Sequence, residues 1–118
     1  MKKIIIGNWK LNLDHLEAIQ LLQKLNYTIE ESREEKIDII VSPSHTSLRS
    51  IQTIIDTDKL NIQLSAQDVS QFSGGAYTGE VSSYQLNKLN VSYCIVGHSE
   101  RRIEFNNSEE LSGVTLPP

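Results

Sequence analysis

At 118 residues, with 38% hydrophobic and 22% charged side chains, the chain has the length and balance of one compact globular domain. A formal net charge of -4 and a pI near 5.3, with Lys and Arg only in scattered pairs, argue against a nucleic-acid surface or an anionic-membrane anchor and point to a small metabolite as partner. Cys94 is the single cysteine, which excludes an intramolecular disulfide and fits a reducing, cytoplasmic setting, while the apolar run Ile4, Ile5, Ile6 stops at Gly7, too soon for a secretion signal or a membrane span.

The first predicted element is a strand from Lys3 to Gly7. A helix follows, because Leu16, Ile19, Leu22, Leu25 and Ile29 recur at three- and four-residue spacing behind Asp14 and Glu17, whose spacing is that of a capping box. Ile37 to Val41 reads as the second strand. Pro43 separates it from a second helix, Thr46 to Ile55, with Leu48, Ile51 and Ile55 on one face. Ile62 to Ala66 is the third strand, Ser82 to Leu89 a short helix with Leu86 and Leu89 inward, and Ser92 to Val96 the fourth strand. Ser108 could cap a further helix through Glu109, Glu110 and Leu111, which Gly113 and Pro117 would end within about a turn. Three of the four strands are nearly continuous runs of apolar residues, as a parallel sheet covered on both faces requires. The β-α alternation predicts right-handed crossovers, in either an open doubly wound sheet or part of a barrel.

The side chains able to do chemistry gather at the strand C-terminal ends. Asn8 and Lys10 follow the first strand, Ser42 the second, Gln67 and Asp68 the third, and His98 and Glu100 the fourth. In α/β folds that end collects the loops that bind ligands, since each crossover helix starts there with unpaired N-H groups. The loop from Ser73 to Glu80 is glycine-rich, but its spacing is neither that of a dinucleotide fingerprint nor that of a P-loop. His15 and His45 have no motif around them, and with no second suitably placed His or Cys no metal site is expected.

Four of these segments together resemble the triosephosphate isomerase family: Gly7-Asn8-Trp9-Lys10-Leu11-Asn12, Ala66-Gln67-Asp68-Val69, Gly74-Gly75-Ala76-Tyr77-Thr78-Gly79-Glu80, and Val96-Gly97-His98-Ser99-Glu100-Arg101-Arg102. Each alone is weak, and four in order at successive strand ends are specific. The resemblance implies an α/β fold of the TIM-barrel type, truncated to about four β/α units, with residues 1–112 as the N-terminal half of a barrel and 113–118 as a tail that does not match. It further implies an aldose-ketose isomerase of glycolysis and gluconeogenesis, interconverting glyceraldehyde 3-phosphate and dihydroxyacetone phosphate without cofactor or metal.

By the same resemblance His98 is the catalytic electrophile, acting as a neutral imidazole. Lys10 is catalytic and substrate-binding, its charge stabilising both the phosphate and the oxyanion that develops. Asn8 orients Lys10 and contacts substrate, Glu100 is the acidic partner of Lys10, and Ser99 is a supporting hydroxyl. Thr78 belongs to a loop that reaches into a second subunit, so a homodimer is implied. Trp9 and Cys94 are expected to pack, and Arg101 and Arg102 to form ion pairs, although Asn107 stands where the family usually has an acidic residue. A whole barrel needs eight strands and about 250 residues. The glutamate base, the lid and the phosphate-gripping loops of the family have no match here, so the chain alone is expected to be nearly inactive, completed by a second half. The alternative is a non-catalytic half barrel serving as an association module.

Overall fold

The computed structural model describes residues 3–32 and 37–104. Strand β1 (Lys3–Asn8) leads to helix α1 (His15–Ser32). Strand β2 (Ile37–Ser42) follows, then a 3-10 turn (His45–Ser47) continuous with α2 (Leu48–Thr57). Next come β3 (Gln63–Ala66), α3 (Ser83–Lys88), β4 (Tyr93–Cys94) and α4 (Ser99–Glu104). The sheet has four strands in the order β1-β2-β3-β4, all parallel. A doubly wound sheet reverses its strand order so that right-handed crossovers place helices on both faces. Here the order never reverses, so every crossover lays its helix on the same face, and the sheet is a curled half barrel.

Local chemistry sets the element boundaries. Helix α1 begins at the anticipated capping box: the Glu17 N-H donates to Asp14 Oδ1 at 2.8 Å and the Asp14 N-H to Glu17 Oε1 at 3.1 Å. A second capping box starts α3, with the Gln85 N-H donating to Ser82 Oγ and the Ser82 N-H to Gln85 Oε1. The buried cluster joins Ala18 and Leu22 of α1, Val41 of β2, Leu48 and Ile51 of α2, Leu64 and Ala66 of β3, and Leu86 of α3. Trp9 and Cys94 pack against it, as expected. Burial pushes the Cys94 thiol up to about 12, so it is an inert packing group at neutral pH.

Four details differ from the sequence reading. Strand β1 is not covered on both faces: Ile4, Ile5 and Ile6 are each about half exposed, at 53%, 53% and 50%, because β1 is the sheet edge, paired among the described residues only with β2. Leu16 is 60% exposed, and Ala18 takes the inward position; at 3.6 residues per turn Leu16 lies about 120° around the helix from Leu22, while Ala18 lies about 40° from it. Strand β4 is only two residues long, since after the Ile95 N-H donates to the Ala66 carbonyl the chain turns away at Gly97, whose φ of 64° is left-handed. Helix α4 was not anticipated; Glu100 in its first turn and Arg101 and Arg102 in its last match the helix dipole. The cap at Ser108, Asn107 and the tail 113–118 lie outside the described residues.

Candidate active site

The parallel register brings the strand ends together. Asn8 pairs with Ser42, and the Trp9 N-H extends that ladder by donating to the Ser42 carbonyl at 3.0 Å. Leu64 pairs with Val41 and Ala66 with Cys94, so Gln67 emerges beside the first two loops and His98 beside the third. The result is a cavity of about 630 Å³ whose lining includes Asn8, Lys10, Gln67, His98 and Glu100.

Lys10 is the best-constrained residue of this group. Its backbone sits in the left-handed region, with φ of 55°, which costs a non-glycine residue free energy and persists only where neighbours impose it. Three groups from three strand ends do so: its N-H donates to Asn8 Oδ1 at 2.9 Å, and its carbonyl accepts from Gln67 Nε2 at 2.8 Å and from Ser44 Oγ at 3.0 Å. Gln67 Nε2 also donates to the Ser42 carbonyl at 2.9 Å, clamping the first and second loops together. The side-chain amine of Lys10 then reaches Glu100 Oε1 at 2.7 Å.

Glu100 is pulled below the ordinary carboxylate value by its hydrogen bond from Lys10, with the charge of Lys10 acting in the same sense. It is therefore a weak proton acceptor near neutral pH. The Glu100 N-H donates to His98 Nδ1 at 3.1 Å, so the proton of the neutral imidazole belongs on Nε2. That nitrogen lies 3.8 Å from Glu100 Oε1. Arg101 fastens this loop to the preceding one through Asp68, Nη2 to Oδ2 3.3 Å. Arg102 is exposed.

Asn8, Lys10, His98 and Glu100 thus share one cavity, whereas Ser99 does not line it and Thr78 stands on the exposed loop 71–80. Gln67 and Ser44 hold the Lys10 carbonyl, a role the sequence does not signal beyond their position at strand ends. Among the described residues no three His, Cys, Asp or Glu side chains gather as metal ligands, and no helix is long and apolar enough to cross a membrane.

His45 also lines the cavity, although no motif marks it. Its Nε2 is buried without a hydrogen-bond partner among the described residues. Burial lowers its pKa below the ordinary histidine value, opposed by the charge and backbone of Asp68, while Arg101 lowers it and Glu80 raises it. Between its folded value and about 6.5 the unfolded chain takes up a proton that the folded chain does not, so stability should fall as pH drops through that window. Urea unfolding at steps from pH 7.5 to 5 should show that loss, and His45→Gln should reduce it. An unchanged pH slope in the variant would assign the loss to other groups.

The triosephosphate isomerase family model matches residues 3–114. The triosephosphate isomerase of Corynebacterium glutamicum is 52% identical over 110 residues, which are 93% of this chain and 42% of that protein. That of Corynebacterium efficiens is 53% identical over 110 residues with the same coverage, and that of Saccharopolyspora erythraea 51% identical over 108 residues, 92% of this chain and 41% of the relative. The chain spans about 42% of the length of the relatives it matches. With its ordered parallel half barrel and a match that covers nearly all of its residues, the chain belongs to the triosephosphate isomerase family.

Proposed function

We propose that these residues supply the electrophilic and cationic part of a site that interconverts glyceraldehyde 3-phosphate and dihydroxyacetone phosphate. The observation that carries the reading is the Lys10-Glu100-His98 cluster at the mouth of the half barrel, with the Lys10 amine 2.7 Å and His98 Nε2 3.8 Å from the same carboxylate oxygen. In the reaction a proton leaves the carbon next to a carbonyl and negative charge gathers on the carbonyl oxygen. His98, with its proton on Nε2, donates a hydrogen bond to that oxygen; Lys10 and Asn8 add a fixed charge and a side-chain amide, and Lys10 also meets the phosphate. Such donors act by being already in place when charge develops.

Proton abstraction needs a different carboxylate. Glu100 is held ionised and weakly basic by Lys10, and Asp68 is paired with Arg101. By the family resemblance, the base is a glutamate of the barrel's other half. Ser99, exposed beside His98, is a supporting hydroxyl, and neither metal nor cofactor is needed. We further read the loop bearing Thr78 as the arm by which two copies associate, each loop entering the other's cavity, and the site of action as the cytoplasm, in keeping with Cys94 as the single, half-buried cysteine.

A coupled isomerase assay tests this reading. The 118-residue chain is assayed alone and mixed with a polypeptide carrying the rest of the barrel from the Corynebacterium glutamicum enzyme. Activity is expected only in the mixture and should be lost with His98→Gln. Activity of the chain by itself would place a base within these residues and sink the assignment. A mixture that associates but stays silent would favour a half barrel that serves as an association module.

A further inference from the structure

The segment 71–80 is exposed at every residue, yet it has a definite shape made from its own contacts. Its neck is closed by the Ser70 N-H donating to the Val81 carbonyl at 2.8 Å, and the Phe72 N-H returns to Ser70 Oγ at 3.1 Å. At the far side the Glu80 N-H donates to the Tyr77 carbonyl at 3.1 Å, with Gly79 at φ 88°, which is a type II turn carrying Thr78 at its first corner. Across the middle the rings of Phe72 and Tyr77 lie face to face, with centroids 3.8 Å apart and planes within 1°. A gap of about 280 Å³, lined by Phe72, Tyr77, Glu80, Ser82 and Tyr84, separates the loop from α3. The helix is therefore not the mould for the loop.

Tyr77 is one residue from Thr78, so whatever holds the Tyr77 ring also aims the threonine. Phe72 is the group that holds it. We propose that Phe72 is a positioning residue: its ring, stacked on Tyr77, keeps the 71–80 loop in its docking shape before a second copy is met. The consequence for association rests on the reading above that this loop enters a partner's cavity. A loop already in its bound shape has less freedom to lose on binding, and an aromatic stack shifts such an equilibrium by a few-fold to about tenfold.

The test compares wild type with Phe72→Leu, which keeps an apolar side chain without a ring face, and Phe72→Tyr, which restores the ring. Loop order in the dilute chain is read from 15N relaxation at the Gly74 to Glu80 amides, and self-association by sedimentation equilibrium. Thermal unfolding controls for the fold, which a substitution on this exposed loop should leave unchanged. Phe72→Leu should mobilise the Tyr77 and Glu80 amides and weaken self-association about two- to tenfold, and Phe72→Tyr should recover both. An equally ordered loop in Phe72→Leu overturns the proposal whatever the association does. A mobilised loop with undiminished self-association overturns the docking role of the shape. If wild type does not self-associate while the loop still depends on Phe72, the docking reading fails and the hold of Phe72 on the loop stands.

Discussion

Lys10→Ala is expected to lower kcat/KM about 10²- to 10³-fold in the complemented isomerase assay, the usual cost of deleting one preorganised donor to a developing oxyanion. The fold should survive, because the Lys10 side chain is half exposed and the bonds that impose its left-handed backbone come from its own N-H and carbonyl. Alanine tolerates φ near 55° no worse than lysine does, so the change in unfolding free energy should stay within about 0.5 kcal/mol, as at ordinary surface sites. Lys10→Arg is not expected to rescue activity: a planar guanidinium fork cannot place its charge where a compact ammonium stands 2.7 Å from Glu100. Circular dichroism with steady-state kinetics separates the two effects. A Lys10→Ala mixture that retains wild-type kcat/KM would remove Lys10 from the site.

Ile51→Ala should cost about 2–5 kcal/mol of stability, the range for deleting a fully buried branched side chain and leaving a partly collapsed cavity. Ile51 is 0% exposed and sits in the cluster that joins α1, α2 and the helix-facing side of the sheet. Against a typical total of about 5–15 kcal/mol, and with one sheet edge exposing Ile4, Ile5 and Ile6, that loss would bring the chain near its unfolding threshold at room temperature. Leu16→Ala is the contrasting control. Leu16 is 60% exposed, so its replacement should change stability by no more than about 0.5 kcal/mol. Equilibrium unfolding in urea measures both, and equal midpoints for the two variants would contradict the placement of the core.

Local rules carried the reading of the secondary structure. The capping box at Asp14, the apolar face of α2 and the Ile- and Val-rich strands all depend on residues within about a turn of one another, and each appears where the spacing puts it, the fourth strand shortened. The clustering of Asn8, Lys10, His98 and Glu100 was legible for a related reason: in a parallel sheet, strand ends meet at one rim whatever the strands' neighbours. Leu16 lies off the buried face because a three- or four-residue spacing does not by itself fix where the centre of an apolar stripe lies, and the small, fully buried Ala18 is near that centre.

What the sequence by itself determined is the elements from β1 to β4, the rim residues and the family, because capping, periodicity and motif order are properties of neighbours along the chain. The tertiary structure decided the rest. Strand order excluded a doubly wound sheet, the edge position exposed β1, and the register brought Gln67 and Ser44 onto the Lys10 carbonyl across 57 and 34 residues of chain. Those outcomes depend on which segments lie side by side in space, and no local pattern encodes that adjacency.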